Sequence, residues 1–196
     1  MTALDIFKRE GITSLPLNPA ELAKKSGIRL VRYSTYLDKT GDTQLLCSDG
    51  VLLSNANPPI IVYNEKISSK GRQRWTLIHE LCHYWLGHDA SDKKTEQEVE
   101  RLTAALISPA VVLHLCGVKS AADVAEICGI SSEAAKIRFD EIERKRRAGT
   151  FMRTEEDIKT AALFLPFISD TVSRITSCEA HRKRTMRADI FRQEGY

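Results

Sequence analysis

The sequence predicts an α+β fold: a small, mainly antiparallel sheet, one long buried helix, and an all-helical C-terminal region. Three observations predict it. Short alternating or β-branched runs at Ile28–Tyr33, Val51–Ser54 and Ile60–Tyr63 read as strands. A run from about Gly71 to Leu86 is apolar over most of its girth, the mark of a helix buried on nearly all sides. Beyond Pro109 the pattern is helical throughout.

The elements follow in order. Ile6–Glu10 and Pro19–Ser26 read as short helices, the second stopped by Gly27. The strand at 28–33 comes next. Gln44–Cys47 and Val51–Ser54, joined through Ser48-Asp49-Gly50, carry a hairpin signal with Asp-Gly at the turn. The run from Lys93 to Pro109 reads as a second long helix, stopped near Pro109, with Val99, Leu102, Thr103 and Leu106 as its apolar stripe. Ala110–Cys116 is helical. Ala121–Cys128, Gly129 and a helix from Ser132 to about Arg147 have the spacing of a helix-turn-helix. Ser131 or Ser132 caps its second helix. Arg138 stands where a DNA-reading motif would bury an apolar residue. A further helix opens at Thr154-Glu155-Glu156, and Pro166 should break it. The basic tail at His181–Arg187 reads as exposed, with helix extending to Phe191. Three regions are expected: 1–109, 110–149 and 150–196.

Composition narrows the function. With 196 residues and 42% hydrophobic content the chain can bury a core. A net charge of +3 excludes nucleic-acid binding by bulk charge and leaves only local patches such as Arg144-Lys145-Arg146-Arg147. No apolar run approaches the roughly 20 residues of a membrane span, and the start carries no signal-peptide core. The five cysteines have no paired spacing and sit among apolar neighbours, as reduced thiols of a cytoplasmic protein do.

The chemistry lies in His79-Glu80-Leu81-Cys82-His83. Residues four apart on a helix nearly eclipse, so both imidazoles can reach one metal ion. Glu80 lies about a quarter turn away, placed to take a proton from water as general base. Two histidines and a glutamate inside so apolar a helix are costly unless a metal or hydrogen bonds satisfy them. A hydrolytic site needs a third ligand. Glu96 continues the apolar stripe of the second long helix and is the candidate. Glu100, one turn on, is either its neighbour in the outer shell or its replacement, and Glu98 is less well placed. Tyr63, Arg72 and Arg74 are candidate oxyanion donors by proximity in sequence. His88, His114 and His181 read as ordinary histidines.

The run Arg72–His88, with Glu96–Pro109, resembles the ImmA/IrrE family of bacterial metallopeptidases. That resemblance implies a zincin-like core. It also implies His79, His83 and Glu96 on zinc, with manganese as the alternative, and Glu80 as base. Cys82 replaces the family's usual glycine, Glu100 its Asn or Asp, Leu102 its Phe and Ser108 its Met. By resemblance the substrate is a protein, a Cro/CI-type helix-turn-helix repressor whose cleavage frees mobile-element or stress-response genes. The competing expectation is a non-proteolytic DNA- or repressor-binding regulator, of toxin–antitoxin or phage-accessory type. It would use Ser120–Arg147, its metal structural or absent.

Overall fold

The computed structural model describes residues 1–44, 48–88 and 92–177. Among them are three strands and nine helices: α1 (Ala3–Glu10), α2 (Pro19–Lys25), β1 (Arg29–Arg32), α3 (Tyr33–Thr40), β2 (Gly50–Leu53), β3 (Ile60–Tyr63), α4 (Lys70–Leu86), α5 (Lys93–Ile107), α6 (Ala110–Leu115), α7 (Ala121–Cys128), α8 (Ser132–Arg147) and α9 (Glu155–Leu163). Helix resumes over 165–177 after a break at Phe164, two residues before Pro166. The first hairpin arm, through 45–47, and the basic tail from 178 lie outside the described residues.

The sheet corrects one expectation. Its order is β1-β3-β2, with β1 parallel and β2 antiparallel to β3, so it is mixed rather than mainly antiparallel. β3 is the centre, and its Ile60, Ile61 and Val62 are buried, the continuous apolar run of a strand covered on both faces. β1 ends a residue earlier than its alternation suggests, because Tyr33 opens α3, a helix the sequence reading lacks. The preceding Arg32 supplies no side-chain cap. Instead Glu65, just beyond β3, accepts from the Ser34 amide at 3.3 Å. A cap borrowed from 31 residues away leaves no local signature.

The two long helices are built as their sequences dictate. Ser69 Oγ accepts from the Arg72 amide at 3.2 Å to start α4, which ends at Gly87. Asp92 accepts from the Lys94 and Thr95 amides, and Thr95 Oγ1 accepts from the Asp92 amide, closing a capping box on α5. Leu77, Ile78, Leu81, Cys82 and Trp85 of α4 and Val99, Leu102, Leu106 and Ile107 of α5 lie in one hydrophobic core with α1, α2, α6, α7 and α8.

The helix pair α7–α8 is fastened to both long helices. Gly71 of α4 lies so close to the α7–α8 turn that a Cβ there would meet the Ser131 nitrogen at 3.0 Å and Ile130 Cα at 3.1 Å. Arg74 of α4 donates to the Leu17 carbonyl at 3.0 Å and to the Gly129 carbonyl. Arg138 of α8 turns inward. It donates to the Ala104 carbonyl (2.8 Å) and Ser108 Oγ (3.0 Å) at the end of α5, and to Glu141 (2.6 Å). The odd arginine in the helix-turn-helix pattern is therefore a cap for the C-terminal end of α5.

Arg138→Ala should cost about 2–3 kcal/mol, the value of charge-assisted hydrogen bonds lost from a mostly buried site. That corresponds to a Tm lower by about 4–12 °C. Arg138→Lys should recover only part of it, because an ammonium cannot serve three directions from one plane. A thermal melt of Arg138→Ala superimposing on wild type would show that this latch contributes nothing.

Candidate metal centre

His79 and His83 lie on successive turns of α4, and Glu96 lies in the first turn of α5. Their approach follows from α4 packing on α5 through Leu81, Cys82, Val99 and Leu102. His79 Nε2 is 3.2 Å from His83 Nε2. Glu96 Oε2 is 3.3 Å from His79 Nε2, and its Oε1 is 3.3 Å from His83 Nε2. The histidine side chains are 17% and 10% exposed and Glu96 is 37% exposed, so the cluster opens to solvent on the α5 side. Burial, then the neighbouring His79, holds His83 below the usual imidazole range, which keeps its lone pair free at neutral pH.

An ion bonded at 2.0–2.2 Å to tetrahedral ligands sets ligand–ligand edges of about 3.3–3.5 Å. The two imidazole nitrogens are 3.2 Å apart, and each has a different oxygen of the Glu96 carboxylate at 3.3 Å, so the carboxylate spans the pair. Two imidazole nitrogens and a carboxylate converge so closely that a shared positive charge is what makes the arrangement favourable. The donor set fits one divalent ion. Glu100 is exposed on α5 and is not one of the three. Glu98 is 3.9 Å from His88 Nε2, and the His88 ring is 5.9 Å from that of His83. The His79 Nδ1 atom is buried without a hydrogen-bond partner among the described residues.

Glu80 stands beside the cluster. Burial pushes its carboxyl up to about 7; a hydrogen bond from the Leu52 amide opposes this, and the charge of Glu96 adds to it. The Leu52 nitrogen donates to Glu80 Oε2 at 2.9 Å. Sequence reasoning missed this contact because its donor is main chain. Asp-Gly reads as a turn, yet Gly50 begins β2. Cys82 is fully buried, and burial pushes its thiol up to about 12, so it carries no thiolate for a metal. Arg72 pairs with Asp49 at 2.5 Å, and Arg74 is spent on carbonyls. Tyr63 pairs with Gly50 across the sheet. His114 stacks on Phe151 at 4.1 Å, away from the cluster.

Two histidines from one helix, a carboxylate from the next and a half-buried acid beside them are the parts of a metal-dependent hydrolase. Over residues 23–140, about three fifths of its length, the chain matches the family model for peptidase M78, the IrrE N-terminal-like domain, and it belongs to that metallopeptidase family. A comparison with curated proteins gives no match.

Glu96→Ala should weaken metal binding by more than about 100-fold, beyond what outer-shell changes cost, while Glu100→Ala should leave metal content near wild type. Elemental analysis after dialysis at fixed metal decides; the reverse result would make Glu100 the ligand. A second expectation concerns the metal-free protein. An acid whose folded pKa is raised stabilises below its unfolded pKa and loses that contribution as pH rises through the folded one. The window for Glu80 runs from 4.5 to about 7. Metal-free Glu80→Gln should therefore be more stable than wild type above pH 7 by up to about 3 kcal/mol, with the gap closing toward pH 4.5. Denaturant titrations at several pH values check this, and a gap that does not change with pH would refute it.

Proposed function

We propose that this protein is a zinc-dependent endopeptidase of the cytoplasm, with manganese as the alternative metal, that cleaves a Cro/CI-type helix-turn-helix repressor. The observation that carries the metallopeptidase reading is the convergence of His79 Nε2, His83 Nε2 and the Glu96 carboxylate, with contacts of 3.2–3.3 Å, and Glu80 beside them. The bound metal would supply polarisation of the scissile carbonyl and acidification of water. Glu80 takes the proton of the attacking water and returns it to the amine nitrogen as the C–N bond breaks. An acid poised near 7 suits both transfers. β2 has β3 on one side only, and its outward Leu52 amide is taken by Glu80. The repressor as substrate rests on the resemblance over Arg72–His88 and Glu96–Pro109. Cys82, Cys116 and Cys128 are free and buried, which suits a reducing compartment.

The competing reading, DNA binding through Ser120–Arg147, draws less support. Arg138 is used internally, and the exposed residues of α8 set Glu133 and Asp140 among Lys136, Arg144, Lys145 and Arg147. The acids confine the phosphate attraction of this face to the basic end of the helix.

The test combines the purified protein, zinc or manganese, and the helix-turn-helix repressor encoded nearest its gene. Cleavage should depend on metal, and Glu80→Gln should slow it by at least about 100-fold while keeping metal bound. Cleavage by Glu80→Gln at the wild-type rate would sink the mechanism.

A further inference from the structure

We infer that the main-chain N–H of Leu52 is the positioning group for Glu80, and that Gly50 is the residue that lets it reach. This rests on Glu80 being the proton carrier described above.

In an antiparallel pair, the N–H and C=O of one residue point both toward the partner strand or both away, in alternation. The Leu52 N–H goes to Glu80 Oε2 at 2.9 Å, so Leu52 faces away from β3 and toward α4. Its neighbours Val51 and Leu53 face β3, opposite Val62 and Ile60. β2 is an edge strand, and this edge amide is the one that the active-site helix occupies.

The approach of β2 to α4 is too close for a side chain at position 50. A Cβ on Gly50 would meet Thr76 Cγ2 at 2.6 Å, the Val62 carbonyl oxygen at 3.5 Å and Glu80 Cγ at 3.6 Å. Thr76 cannot easily swing aside, because it is buried and its hydroxyl donates to the Arg72 carbonyl at 3.1 Å. On the other side of Gly50, Asp49 is held by Arg72 of α4 at 2.5 Å, and its carbonyl accepts from the Asn64 amide at 2.9 Å. The start of β2 is thus pinned to both α4 and the end of β3, with glycine at the contact.

The chemical consequence concerns a flexible acid. A glutamate has three side-chain torsions, and a general base works only from one arrangement. Leu52 fixes Oε2, which leaves Oε1 as the atom that takes and gives the proton. Leu52 does not touch substrate in this role; it acts through Glu80.

Two measurements test the inference. In the metal-free protein, amide hydrogen exchange at Leu52 should be about tenfold or more faster in Glu80→Ala than in wild type, with Val51 and Leu53 unchanged. Leu52→Pro removes the donor at an outward-facing edge position, where proline forfeits no ladder bond. Its kcat on the same repressor should fall about 10- to 100-fold with KM and metal content little changed. Unchanged Leu52 exchange in Glu80→Ala, or wild-type kcat in a folded, metal-loaded Leu52→Pro, overturns the inference. Should Leu52→Pro fail to fold, the exchange measurement decides alone. It also decides if wild type leaves the repressor uncut, a result that would count against the proposed substrate instead.

Discussion

Two imidazole nitrogens 3.2 Å apart, each with one oxygen of a shared carboxylate at 3.3 Å, are the constraint that the rest of this molecule serves. Two imidazole nitrogens facing each other at that distance are unfavourable without a proton or a cation between them, and a carboxylate at the same spacing favours the cation. The arrangement survives because each histidine is anchored in a helix that buries Leu77, Ile78, Leu81, Cys82 and Trp85, and because α5 is locked against that helix by Val99 and Leu102. Packing energy is what holds a polar site in a geometry that it would not choose alone.

Seen this way, the C-terminal helices are part of the centre's support. The α7–α8 turn sits on the N-terminal half of α4 through Gly71 and Arg74, and Arg138 closes the C-terminal end of α5. One helix pair therefore braces both helices that carry the His79, His83 and Glu96 cluster. The family match runs on through position 140, across α7 and into α8, as it would if this brace belonged to the peptidase unit itself. A residue that spoils a motif for one purpose can be the signature of another: Arg138 is a poor core residue for reading DNA and a good donor for the last carbonyls of a helix.

What was legible in the sequence is what depends on local periodicity. His79, Glu80 and His83 share one helix, so spacing alone sets their relation. Glu96 was legible because it extends the stripe of Val99 and Thr103, which fixes the side of α5 that meets α4. Glu100 lies one turn further along the same helix, and only the crossing point of α4 and α5 separates it from the cluster; that point is a tertiary fact. The parallel β1–β3 pairing is likewise tertiary, since strand order depends on how the chain crosses between Arg32 and Gly50. The α3 helix escaped notice because its cap is Glu65, and the Leu52 contact because a backbone amide has the same letter whatever it binds.

The electrostatics of Glu80 join the fold to the chemistry. Burial alone would keep this acid protonated, and the nearby Glu96 charge pushes the same way, while the Leu52 amide pulls against both. The balance leaves the carboxyl near 7, where it can give and take a proton at little cost in either direction. A cation shared by His79, His83 and Glu96 offsets the Glu96 charge and shifts that balance toward the carboxylate. An ion at the cluster would thereby ease ionisation of Glu80, which without one burial holds largely as an acid below neutrality.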